Sequence, residues 1–254
     1  LQPPEMERFR PFRQARPAFD DSDILKVIAG LQARRGRETL DRLPGLFAGS
    51  AHEVITLPEL DPFRDHRQHP GIGPLSGTPN PVDSQPSGDY FAYLSTDYRF
   101  TPRILEGLIT SGRPGSVYLR DSSAAARDRL RSLGLTIHDE GQDMSDMAEA
   151  SAVIIHHGGV GTAEAVLALG RPQMVVPRHA EQWLNASSLG RLGVAIGIKC
   201  SETLTTEQVS GALSVIRERV EFSQRSESLA AALAQRPKVA LDHVVSVCEH
   251  LARG

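Results

Sequence analysis

Two neighbouring histidines and a glycine-rich turn, His156-His157-Gly158-Gly159-Val160-Gly161-Thr162, are the residues of this chain best suited to chemistry. Before them, Ala152-Val153-Ile154-Ile155 is a short apolar run of the kind that forms a buried parallel strand. After them, Ala163 to Leu169 has the small and apolar spacing of a helix packed on a sheet. The histidines and glycines are therefore expected to make a strand-to-helix turn. Glycine lets backbone approach a ligand closely, and the free amides of a helix's first turn carry partial positive charge. Such a turn is built to receive an anion, with a diphosphate the natural candidate.

The elements that would position this turn alternate along the chain. Strands are expected at Tyr90–Leu94, Ser116–Leu119, Leu135–His138, Ala152–Ile155, Gln173–Val176 and Val194–Ile198. Between them lie helical patterns at Pro102–Ser111, Ser122–Leu133, Met144–Ala150 and Glu181–Leu192, and three more follow at Thr205–Arg219, Ser223–Ala234 and Val239–Ala252. This alternation predicts an α/β fold, a parallel sheet with helices on both faces. Ligands of such sheets sit beyond the carboxyl ends of the strands. Ser95-Thr96-Asp97, Asp139 to Gln142, the His-Gly turn and Pro177 to Gln182 all fall at such ends, so four polar turns are expected to converge on one crevice.

Upstream the signals are weaker. Leu1 to Asp20 shows no period and reads as an irregular or partly disordered lead-in. Asp21-Ser22-Asp23 precedes an apolar stripe that predicts a helix to about Arg35. The same three residues form a D-x-D string of the metal-binding kind, but acidic and hydroxyl residues in that place are read as caps. Glu53 to Leu57 is a strand candidate closed by Pro58. Six prolines between Asp61 and Gly88 mark a linker. The expected organisation is thus 1–60, a linker at 61–88 and a main domain at 89–254.

A net charge of −3 gives no basic excess for nucleic acid, and no apolar run reaches the roughly 18 residues of a membrane span. Cys200 and Cys248 have neither disulfide nor zinc spacing, which fits a reducing cytoplasm. The chain opens at Leu1 without a methionine or a signal peptide, and residues upstream of it are expected. Gly159-Val160-Gly161-Thr162-Ala163-Glu164 half-matches a dinucleotide fingerprint, yet it follows the fourth expected strand and has Glu164 where the third glycine belongs. A dehydrogenase is disfavoured on both counts.

His157-Gly158-Gly159 with Gly161-Thr162, Pro172-Gln173, Val175-Val176-Pro177, Glu181-Gln182 and Asn185-Ala186 resembles the donor-binding signature of nucleotide-sugar-dependent glycosyltransferases with two Rossmann-like domains, the GT-B type. The likeness is nearest to bacterial enzymes that decorate macrolides and other natural products, and more remote to plant glucosyltransferases. It runs in register from Gln142 to Asn185. Leu57 to Pro62 and Gly71 to Leu75 resemble the end of that family's acceptor domain and its linker. The resemblance therefore implies a donor-binding domain at 89–254 and a remnant of the N-terminal acceptor domain at 1–60.

The resemblance also implies roles. His157 would donate to the donor's diphosphate, completed by the amides around Gly158, Gly159 and Gly161, the Thr162 hydroxyl, and Ser95 nearby. Groups aimed at charge that grows on the leaving diphosphate stabilise the transition state, in place of a metal ion. Glu181 and Gln182 would bind sugar hydroxyls, and Gln142 would meet the nucleobase. His156 would orient the loop or touch phosphate, and Asn185 likewise. No cofactor and no metal are implied; the nucleotide sugar, UDP- or dTDP-linked, is substrate and a small molecule is the acceptor. Glu181 replaces the usual Asp and Asp139 the base-stacking Trp of the plant enzymes, leaving sugar and base open. The family's general base lies early in the acceptor domain, so here it is expected upstream of Leu1. Two readings follow: a glycosyltransferase or its donor-binding half, or a noncatalytic nucleotide-sugar-binding subunit needing a partner domain or subunit. An epimerase on the same fold is a distant third.

Overall fold

The first structural signal in chain order is Asp20, whose carboxylate accepts from the Ser22 amide at 3.0 Å and starts helix α1 (Asp21–Arg34). Asp21 and Asp23 fall in the first turn, where negative charge complements the helix dipole. The acidic string thus serves a helix start. The computed structural model describes residues 3–8 and 19–253, and most of the lead-in expected over Leu1–Asp20 lies outside them. The chain divides into two compact units, Leu1–Leu75 with Val239–Gly254, and Ser76–Lys238.

The first unit holds α1 and a C-terminal helix (Ala240–Arg253), whose His243 lies 2.9 Å from Glu53. The strand expected at Glu53–Leu57 does not form. The Val54 and Thr56 carbonyls do accept from the Ile72 and Gly73 amides, but Pro58 and Pro70, which offer no amide hydrogen, bracket that pairing. At Gly71 an added Cβ would lie 2.3 Å from the Thr56 carbonyl oxygen, so only glycine lets the two segments approach. Arg67 pairs with the buried Asp61 carboxylate, which orders the start of the proline-rich stretch.

In the second unit, alternate residues of strand β1 (Gly88–Ser95) serve opposite faces of a sheet, as the period of two requires. Tyr90, Ala92 and Leu94 enter one core with Ile104 and Leu108 of α2 (Thr101–Thr110). Phe91 enters the other. Strand β2 (Gly115–Arg120), helix α3 (Ala124–Ser132), strand β3 (Thr136–His138) and helix α4 (Met144–Ala150) follow. Strand β4 (Ser151–His156) repeats the alternation: Val153 and Ile155 join the first core, and Ile154 packs with Phe91 and with Val166 of α5 (Val160–Leu169). Next come β5 (Gln173–Val175), α6 (Ala180–Leu192), β6 (Ala195–Gly197), α7 (Thr206–Glu218) and α8 (Val220–Ala234), and the helix of the first unit is α9. Val209 and Leu213 of α7 share the first core, so helices cover both faces.

All strand pairs are parallel, in the order β3-β2-β1-β4-β5-β6. This is the Rossmann-like α/β fold expected, with each strand and helix of the sheet unit within a few residues of its sequence limits. The order reverses between β1 and β4, and the connections leaving those neighbours diverge. A crevice opens there at the carboxyl ends, and Ser95 and His156 stand at its lips.

Ile155 is fully buried at the centre of the first core, directly beside Ala92. Ile155→Ala is expected to cost about 2 to 5 kcal/mol in urea unfolding, the range for a buried aliphatic truncation.

Candidate functional site

The turn after β4 is built around a histidine that water does not reach. His156 is 1% exposed; its Nδ1 accepts from the Gly158 amide at 3.0 Å, so the proton sits on Nε2, 2.8 Å from the Gln173 side-chain oxygen. Gln173 in turn donates to the Ala163 carbonyl of α5. Burial drives the His156 pKa down to about 4, and the ring stays neutral. Turn, strand β5 and helix α5 are thereby fastened to one another. Gly158 has φ +88°, and a Cβ on it would lie 2.7 Å from Val175 Cγ1. Its carbonyl accepts from the buried Asn185 amide at 2.9 Å. Asn185 and His156 both hold the loop.

His157 is boxed differently. Its Nδ1–H donates to the Val176 carbonyl at 3.0 Å, its Nε2 accepts from the Ser95 amide at 3.1 Å, and the edge of the Tyr98 ring lies against it. Burial, with help from Arg178 and Arg120, lowers its pKa against the hydrogen bond to Val176. A neutral ring with both nitrogens occupied has no N–H left for an anion. The donor role expected of the His157 side chain is already engaged in joining β1 to β5.

What remains free is backbone. Helices α3, α4 and α7 begin with a side-chain cap, from Ser123, Asp143 and Thr205. Helix α5 begins at Gly159, which has no side chain to cap it. The first helical bond is Ala163 to Gly159, so the amides of Val160, Gly161 and Thr162 lack partners among the described hydrogen bonds. Gly159 and Gly161 differ from Gly158 in that a Cβ on either would meet nothing within 4 Å. The protein does not need those two positions bare for its own packing.

These amides border a cleft of about 180 Å³ lined by Ser95, Arg120, His157, Gly159, Thr162 and Gln182, together with Tyr93, Leu94, His156 and Arg178. Ligand pockets commonly run from about 300 to 1,000 Å³, so this one suits a diphosphate rather than a whole nucleotide sugar. A larger hollow, about 480 Å³, lies between Gly193 at the carboxyl end of α6 and Arg219 and Arg225. Its lining sets the carboxyl end of α6 and the Glu221 carboxylate against two arginines and the start of α8, whereas the smaller cleft borders the open amides of α5.

The expected site residues thus separate. Ser95, His156, His157, Gly159, Thr162 and Gln182 line the cleft, Gly161 lies in the same first turn of α5, and Gly158 and Asn185 brace it. Gln182 also accepts from the Arg178 amide at 2.8 Å. Glu181 is exposed and Gln142 donates to the Glu140 carbonyl two residues before it; neither lines the cleft. The expected turn Pro177–Gln182 contains Arg178 without giving it a role, and Arg120 stands one residue beyond the strand expected at Ser116–Leu119. The signal is local: Arg120 closes an apolar strand and Arg178 follows one, at the end of the sheet where the other polar turns collect.

The family model for the erythromycin biosynthesis protein CIII-like, C-terminal domain matches residues 123–251, half of the chain. The chain belongs to that family. It is 27% identical over 198 residues to vancomycin aglycone glucosyltransferase of Amycolatopsis orientalis, covering 64% of this chain and 47% of that protein. The chain spans about half the length of such curated relatives. Among solved structures, the glycotransferase of kitacinnamycin superposes with a TM-score of 0.66 at 18% identity, covering 90% of this chain and 62% of that one. A spinosyn rhamnosyltransferase complexed with thymidine diphosphate gives 0.53 at 16%, over 75% and 55%. These likenesses show the GT-B fold of glycosyltransferases.

The buried histidine makes the turn acid-sensitive. Unfolded, His156 takes a proton near its ordinary 6.5; folded, it resists until about 4. The stability it supports is therefore present above about pH 6.5 and falls as the pH drops toward 4, by about 3 kcal/mol in all. Urea midpoints should fall between about pH 7 and pH 5, and less steeply in His156→Gln.

Proposed function

We propose that this chain carries the donor site of a glycosyltransferase, which moves a sugar from a nucleoside diphosphate to a hydroxyl of a small-molecule acceptor. The observation that supports it most is the open start of α5: three amides without a partner among the described residues and two glycines facing empty space, at the crevice between β1 and β4. As the glycosidic bond breaks, negative charge gathers on the departing diphosphate. Amides already aimed at it need no reorganisation, and helix-end interactions of about 0.3 to 2 kcal/mol strengthen as that charge grows. The Thr162 hydroxyl extends the cradle. With cations of the chain beside it, the site needs no metal ion. His157 acts by fixing Ser95 and Val176, and Gln182, in the lining of the same cleft, would bind a sugar hydroxyl. A uridine or thymidine diphosphate sugar fits this reading, as does the thymidine diphosphate of the spinosyn enzyme.

A second reading, a nucleotide-sugar-binding chain that depends on a partner for catalysis, is favoured by the lining itself. Both imidazoles are hydrogen-bonded at both nitrogens, and the Asp97 carboxylate beside the lining is held by Ser95 and Arg178, so among the described residues the lining presents no free base for an acceptor hydroxyl. On either reading the donor is bound here, whereas brisk sugar transfer by this polypeptide alone would rule out the second.

Gly161→Ala separates folding from binding. A helical alanine in open space should leave stability equal or raise it by about 0.5 to 1 kcal/mol. Its methyl would occupy room next to the free amides. UDP or dTDP binding measured by calorimetry should weaken by about tenfold, or about 1.4 kcal/mol; undiminished binding would contradict the cradle.

A further inference from the structure

A nucleoside diphosphate brings a concentrated negative charge, and both histidines of the turn are held neutral by burial. Positive charge must come from elsewhere in the cleft. Only Arg120 and Arg178 supply it among the lining residues. They differ in how firmly they are held. Arg120 is half exposed and reaches its own neighbour Asp121 at 3.1 Å. Arg178 is anchored at three points: its amide donates to Gln182, its Nη2 meets Asp97 at 3.0 Å, and its guanidinium lies 6.0 Å from the Tyr98 ring.

Asp97 occupies an unusual place for an acid beside an anion site. Its carboxylate accepts from the Ser95 hydroxyl and from Arg178, and these contacts, Ser95 first, hold its pKa below the usual range. The pair bridges the turn after β1 and the turn after β5, the two flanks of the crevice. A charged carboxylate there repels a diphosphate unless its partner neutralises it, yet Arg178 uses one terminal nitrogen for Asp97 and keeps its other N–H groups. A guanidinium is well suited to trade a carboxylate for phosphate, because both accept its paired, planar donors.

We infer that the Asp97–Arg178 ion pair is a latch that the donor's diphosphate displaces, with Arg178 moving from the carboxylate to the phosphates and Asp97 as its competing counter-ion. This rests on the donor site proposed above and goes further, since it makes Arg178 the charge sensor of that site. It also gives the two residues opposite effects. Removing the cation takes away a ligand contact; neutralising the acid frees the cation and lifts a repulsion.

The test is calorimetric titration of the whole chain with UDP, dTDP and inorganic pyrophosphate at low ionic strength, with melting temperatures as a check on folding. Arg178→Gln should weaken binding about tenfold or more, and Arg178→Lys should recover part of the loss. Asp97→Asn should bind roughly threefold tighter, because an amide keeps a hydrogen bond but not the charge. A structural role for the pair would push both variants the same way. Parent-like binding by Arg178→Gln, or weaker binding by Asp97→Asn, overturns the latch and leaves the donor site standing. A parent chain that binds none of the three overturns the donor site and the latch together.

Discussion

A single neutral imidazole in the dry interior holds the rest in place. His156 accepts from the Gly158 amide on one nitrogen and donates the N–H of the other to the Gln173 side-chain oxygen, and Gln173 passes the tie to α5. Because an uncompensated buried polar group costs about 1 to 3 kcal/mol, each link enforces the next. Gly158 must then adopt its left-handed conformation, its carbonyl turns to Asn185, and the start of α5 is left without a cap. A helix that leaves three amides unused beside a cleft keeps an unmet demand in its backbone, and an anion is the partner that meets it.

The division of labour between the histidines follows from burial. Two vicinal imidazoles in water would both titrate near neutrality; here burial lowers both, and each ring has its nitrogens assigned to protein groups. Positive charge is displaced outward to arginines at the ends of β2 and β5, where solvent access lets it persist. Hydrogen-bond geometry is fixed inside and charge is supplied from the rim. This separation keeps the cradle rigid while its electrostatics can respond to what enters.

Much of this was legible in the sequence, for identifiable reasons. The apolar run Ala152–Ile155, the glycines and the small residues of α5 carry their meaning locally, and the sheet unit's alternating pattern yields its order of elements. The bracing roles of Gly158 and Asn185 depend on distant neighbours, Val175 and the Gly158 carbonyl, which no local pattern reveals. Glu53–Leu57 has strand composition but forms no strand, so tertiary context overrides propensity. Arg120 and Arg178 escaped notice because charged residues after strands are common; only the parallel register, which sets Ser95 beside Arg120, shows that one of them faces the crevice. The engagement of both His157 nitrogens is hidden from the sequence for the same reason: the Ser95 amide that meets its Nε2 comes from a strand 62 residues earlier.

The central claim is that the open amides at the start of α5 grip the diphosphate. Amide chemical shifts followed by NMR during titration with pyrophosphate and then UDP test it most directly. The account predicts that Val160, Gly161 and Thr162 shift first and furthest with both ligands, with Ser95 and Arg178 following. Shifts that leave these three untouched and gather instead around Gly193, Arg219 and Arg225 would contradict it.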